Sequence, residues 1–181
     1  MTRTGAPSVA LPQPLGLTDA RFYLATLALV LGNLLLPVLV HRIPDAGRTL
    51  LPIFFFTLVA GWRYGAKVAL LTGLLSPLAN HLLTGMPPAG LLQELTLQSA
   101  LLGLLAALAA TRGRRPTLAL LGLVVLLHQA LVLFPSFLLG GAQAGLGLFR
   151  LHLPGLVLQV FGGWGLLRLL PTGAEGGTRV G

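Results

Sequence analysis

The chain has 181 residues, 55% of them hydrophobic and 9% charged, with 12 Lys and Arg against 4 Asp and Glu. A water-facing surface normally carries about a quarter charged residues, so this composition excludes a soluble domain and reads as one polytopic membrane domain. Four acidic residues leave little for paired-carboxylate chemistry or an all-protein calcium or magnesium cage. The absence of cysteine excludes disulfides, thiolate metal sites and cysteine nucleophiles. The formal charge of +8 is dispersed among apolar runs and forms no nucleic-acid-binding stripe; in a membrane protein the excess marks cytoplasmic loops.

A helix needs about 20 apolar residues to cross the hydrocarbon core, and six segments are read as spans. In chain order they run from about Ala20 to Val40, Leu50 to Trp62 (short and rich in Phe), Ala66 to Leu83, Ala89 to Ala110, Thr117 to Leu139 and Leu151 to Leu170. The runs are continuous rather than alternating, so helices are predicted rather than barrel strands. The expected fold is thus an all-α, six-transmembrane-helix bundle over residues 19–171. The flanking stretches 1–18 and 172–181, rich in Pro, Gly and small polar residues, are expected to be disordered.

Basic residues set the expected orientation. With a cytoplasmic N-terminus, the inner side holds nine: Arg3, Arg21, Arg63, Lys67, Arg112, Arg114, Arg115, Arg168 and Arg179. The outer side holds three, Arg42, Arg48 and Arg150. This positive-inside bias places both termini in the cytoplasm, in agreement with an even number of spans.

The outer loops predicted from this arrangement are 41–48, 83–88 and a Gly- and Ala-rich stretch from Gly140 to Gly147 that carries Gln143. Polar residues within the helices gather toward the same side. His41 ends the first span, Asn80 and His81 lie near the end of the third, Glu94 and Gln98 share one face of the fourth, and His152 opens the sixth. Polar groups in a membrane are costly and face a cavity or a partner, so an outward-opening pocket is expected. Blander readings stand beside this one. Asn80 caps the third helix, Thr84-Gly85 merely stops it, Glu94 pairs with Arg42 or Arg48, and His128 and Gln129 form an interhelical hydrogen bond.

Several chemistries have no matching motif. There is no phosphate-binding G-x-x-x-x-G-K-[ST] loop and no H-E-x-x-H, and no serine sits in a G-x-S-x-G context. An intramembrane nucleophile could only be Ser76, paired with His128 or His152. Small residues are better represented: Ala25, Ala28 and Gly32 line the first span, Gly103 and Ala107 the fourth, and Gly162, Gly163 and Gly165 the sixth. Such faces permit close helix approach, and packing within the bundle is the favoured reading for the fourth and sixth.

Leu51-Pro52, Gly61 to Gly65, Leu75-Ser76-Pro77-Leu78-Ala79-Asn80 and Leu83-Thr84-Gly85-Met86-Pro87-Pro88 leading to Glu94 resemble the substrate-binding S component of energy-coupling factor transporters. The resemblance covers about residues 20–170 and is greatest to the small vitamin B12 (cobalamin) members. It implies a six-helix vitamin-binding subunit of the cell inner membrane, not itself an enzyme. Its partners would be a transmembrane coupling subunit, docked on the Ala25-Ala28-Gly32 face, and two ATPase subunits. Cobalamin is then the transported ligand rather than a cofactor. Asn80, Thr84, Met86, Glu94, Gln98, Phe54 and Gln143 become candidate binding residues. Cobalamin members often place a cysteine near the end of the third helix; here His81 lies beside that position, and imidazole suits borderline transition metals as an axial donor. The alternatives are an S component for another vitamin or a modified-base precursor, an intramembrane enzyme, and a small scaffold subunit of a membrane complex.

Overall fold

The computed structural model describes residues 15–40, 49–112 and 115–170. These residues form helices and short connections, with no strand among them. Helix α1 is Ala20–Val40, and a 3-10 turn at Pro52–Phe54 leads into α2, Phe55–Tyr64. Helices α3 (Ala66–Thr84) and α4 (Ala89–Arg112) follow. The long α5 covers Leu118–Val157, a π-helical turn occupies Leu158–Gly162, and α6 is Gly163–Leu169. Among the described residues, four stretches are long and apolar enough to cross a membrane: Ala20–Leu39, Ala66–Thr84, Ala89–Arg112 and Leu118–Leu169. Exposed leucines line their outer faces, including Leu24, Leu27 and Leu31 on α1 and Leu123, Leu126 and Leu127 on α5. The protein is an all-α membrane protein.

The second predicted span differs most from a crossing helix. With 10 residues, α2 rises about 15 Å, half the hydrocarbon thickness. Its sequence is apolar on every side, and such a helix belongs inside a bundle. Thr57, Leu58, Val59 and Ala60 are fully buried, and Phe54, Phe55 and Trp62 nearly so. α2 is the axle of the molecule, packed against α1, α3, α4 and α6.

Close packing on this axle depends on glycine. A Cβ at Gly61 would collide with the Gly103 carbonyl oxygen of α4 and lie 3.0 Å from the Ala107 nitrogen. Gly103 in turn faces Ala69 and Thr57, and Gly163 faces Leu58. The small residues of α4 and α6 thus serve packing within the bundle, whereas Gly165 has open space beside it.

Two glycines break the helical path in the same way. Gly65, between α2 and α3, has φ 85° and ψ −178°, and Gly141 has φ 75° and ψ 178°. This backbone region is accessible essentially to glycine alone. The expected loop from Gly140 to Gly147 is therefore corrected: those residues are helical apart from Gly141. The break folds α5 back on itself, since Gln129 Nε2 lies 2.7 Å from His152 Nδ1. In a straight helix, the 23 residues separating them would span about 35 Å. Helix then resumes about nine residues before the Leu151 expected to start the last span.

Leu15, just inside the described residues, packs against the core, and the Asp19 carboxylate accepts from the Arg21 backbone N–H at the start of α1. Most of the two stretches expected to be disordered, and the first outer loop with His41, Arg42 and Arg48, lie outside the described residues.

Candidate functional site

The corner between α3 and α4 is built by local hydrogen bonds. Gly85, at φ 73°, ends α3 by donating its N–H to the His81 carbonyl, a left-handed C-terminal cap. Thr84-Gly85 thus does stop the helix. Thr84 Oγ1 donates to the Asn80 carbonyl at 2.7 Å and lies 3.2 Å from Asn80 Oδ1, and it accepts from the Met86 N–H at 3.2 Å. The His81 ring then crosses the corner, with Nδ1 2.7 Å from the Pro87 carbonyl oxygen. A carbonyl can only accept, so Nδ1 is the nitrogen that carries a proton here, and in the neutral ring the lone pair is on Nε2. Asn80 is buried, His81 half-buried, and Thr84 and Met86 exposed.

On the neighbouring helix, the Glu94 carboxylate accepts from Gln98 Nε2 at 2.8 Å, one turn away on the same face. Gln98 also joins α4 to α5, because His128 Nε2 donates to its backbone carbonyl at 3.0 Å. The Phe54 and His128 rings meet in a T-shaped contact with centroids 5.9 Å apart. Gln129 donates to His152 across the folded α5. The interhelical bonding expected of His128 and Gln129 is therefore formed, and it runs through two different partners.

Asn80, His81, Thr84 and Met86 thus form one corner, while Glu94, Gln98, His128, Gln129 and His152 form a polar belt on the adjoining helices, with the Phe54 ring against His128. Phe54 lies within the core at 2% exposure. Gln143 is exposed two residues past the Gly141 break. On α1, Ala28 faces outward, whereas a Cβ at Gly32 would lie 2.7 Å from the Phe56 ring. Ala28 and Gly32 therefore do not share one outward surface; Gly32 serves the contact with α2. Ala25 lies between these extremes, half-buried. Among the described residues, no cluster of three or more His, Asp or Glu side chains could hold a metal ion.

Two buried amides escape the sequence reading. Asn33, fully buried on α1, donates from Nδ2 to Thr57 Oγ1 at 3.1 Å and to Ser76 Oγ at 3.0 Å. Its Oδ1 accepts from the Phe56 N–H at 3.0 Å. Thr57 shares a further hydrogen bond with Ser99 at 3.1 Å, so one network ties α1, α2, α3 and α4. Phe56 is in the first turn of α2, whose own N-terminus has no side-chain cap, so Asn33 caps that helix from a neighbour. Ser76, considered as a nucleophile, is thus bonded to an amide rather than to a histidine. The second missed residue is Gln159, 1% exposed within the π turn, with neither Nε2 nor Oε1 paired. A lone amide inside an apolar run was the available signal for both.

No family model matches the chain, and neither a curated protein nor a solved structure matches it.

Proposed function

We propose that this protein is a substrate-binding subunit for vitamin uptake in the cell inner membrane, with cobalamin as its ligand. It binds without catalysing a reaction and passes its ligand on through a transmembrane coupling subunit and two ATPase subunits. The reading keeps the six-pass, N-inside arrangement, with the 3-10 turn and the short α2 counted together as the second pass and with passes five and six supplied by the two arms of α5 and its continuation. The observation that carries it is His81. A metal-binding histidine almost always donates its second ring N–H to a carbonyl or carboxylate, which fixes the tautomer and aims the lone pair. His81 has that arrangement toward Pro87, at the corner between α3 and α4 where the resemblance puts the axial ligand. Asn80, Thr84 and Met86 surround it, and Glu94 and Gln98 stand on the next helix. The coupling subunit would meet α1 on its outward face, where Ala28 lies among the exposed Leu24, Leu27 and Leu31.

Adding cobalamin to the purified protein is expected to shift its visible spectrum as imidazole replaces an axial ligand. His81→Ala is expected to abolish the shift. Tight binding with an unchanged wild-type spectrum removes His81 from the metal role, and no binding at all removes cobalamin as the substrate.

Orientation has a separate test. The described basic residues Arg21, Arg63, Lys67, Arg112, Arg115 and Arg168 fall at the end opposite the α3–α4 corner by chain order, and Arg150 alone falls on the corner's side. A cysteine introduced at Thr84, the first in the chain, is expected to react with an impermeant thiol reagent on intact cells. Labelling only after lysis reverses the topology.

A further inference from the structure

Gln159 is the buried amide whose two polar ends both lack a partner among the described residues. It is 1% exposed, so water does not compensate it. Taking an amide out of water without giving it a hydrogen bond is unfavourable, and an unpaired buried polar group calls for a reason. A leucine would fill similar space with no such cost. Other side-chain amides of the bundle are engaged: Asn33 with Thr57 and Ser76, Asn80 with Thr84, Gln98 with Glu94 and Gln129 with His152.

The backbone around Gln159 is also irregular. Leu158–Gly162 is π-helical, and single π turns inside α-helices are frequent at functional sites. Gln159 lies two helical turns beyond His152, about 10 Å deeper on the same side of the helix. The next inward positions sit tightly on α2: a Cβ at Gly162 would be 3.0 Å from the Phe55 ring, and one at Gly163 3.1 Å from Leu58. The face from His152 to Gln159 therefore runs from the polar belt into the core and ends on an amide with a free donor and a free acceptor.

We propose that Gln159 is a ligand-reading residue that pairs with an amide group of the transported molecule. Its N–H donates to the ligand's carbonyl while its carbonyl accepts from the ligand's N–H. The chemical class is a molecule bearing a carboxamide, lactam or imide edge. The π turn supplies the rotation that brings the side chain from its packed position to the ligand. This inference rests on the ligand-binding reading above, and the amide-bearing periphery of a corrin is one member of the class.

The test uses the full-length protein in detergent, with Gln159→Leu and, as an apolar alternative of the same length, Gln159→Met. Melting temperature is measured without ligand, and affinity is measured by calorimetry for cyanocobalamin, riboflavin, biotin and nicotinamide. Both variants are expected to melt no lower than wild type, since neither buries an unpaired amide. Both are expected to bind the accepted ligand about tenfold or more weakly, the usual scale for a lost pair of hydrogen bonds. Wild-type affinity in the variants overturns the proposal. So does a melting temperature well below wild type in both, because the amide would then have a structural partner. If wild type ignores cyanocobalamin but binds another of the four in a Gln159-dependent way, the cobalamin reading falls and the amide site stands. Binding of none of the four overturns both.

Discussion

Replacing Gly61 with leucine is expected to leave no monodisperse protein after detergent extraction. Gly61 of α2 meets the carbonyl of Gly103, so an added side chain presses on backbone and cannot be relieved by a rotamer change. Even Gly61→Ala must separate α2 from α4. Overpacking by a methylene or so costs about 1–3 kcal/mol where side chains can shift, and contact with a carbonyl belongs at or above the top of that range. For a chain of this size, about 3 kcal/mol corresponds to a fall of roughly 6–12 °C in melting temperature. Gly165→Ala is the control: nothing lies within 4 Å of its added Cβ, and alanine is the better helix former. Size-exclusion profiles after graded heating would check both. A Gly61→Ala protein as stable as wild type would mean that α2 and α4 do not meet at this contact.

The next largest effect is expected at Asn33. Its side chain makes three hydrogen bonds to three groups on α2 and α3. Asn33→Ala strips all three at once and leaves the Phe56 N–H uncapped inside the bundle. A buried donor left alone costs about 1–3 kcal/mol, and the apolar surroundings offer no water to replace the amide. We expect a total loss of roughly 2–4 kcal/mol, mostly from the exposed backbone group. Ser76→Ala and Ser99→Ala each remove one hydroxyl and should cost about 0.5–1 kcal/mol, near the average for interhelical hydrogen bonds in membranes. Combining Asn33→Ala with Ser76→Ala should cost less than the sum, because the two share a bond. Additive losses, or an Asn33→Ala protein that melts with wild type, would show that this network does not hold the four helices together.

These two positions also mark where sequence reading stops. Gly61 stands in an apolar run with Gly65, and both are legible as glycines near a turn. Their roles differ completely: Gly65 is needed for its backbone angles, Gly61 for what lies across from it. Only the position of α4 separates the two roles. Asn33 is a single polar letter in a long apolar helix. Its importance depends on Thr57, Ser76 and Ser99, which are 24, 43 and 66 positions away along the chain. No local period links them.

The candidate site divides along the same line. Asn80, His81 and Thr84-Gly85 lie within six residues of one another, so their corner was readable as a helix end. Glu94 and Gln98, spaced by four, were readable as sharing a face, and their hydrogen bond follows from that spacing. The partners of His128 and His152 were not readable, since each bond closes across different segments. Gln143 and Gln159 look alike as letters; one is exposed and the other is sealed in the core.

By itself the sequence determined membrane residence, helical structure and the bounds of α1, α3 and α4 to within about two residues. Those properties follow from composition and run length, because hydrocarbon forces each segment to satisfy its own backbone hydrogen bonds. Tertiary structure alone decided that α2 is a short buried axle, that Gly141 reverses the chain without a loop, and which amides are paired. The reason is physical: lipid and protein interior are similarly apolar, so hydropathy cannot tell a lipid-facing helix from a central one. That choice is made by close packing and by hydrogen bonds between segments far apart in the chain.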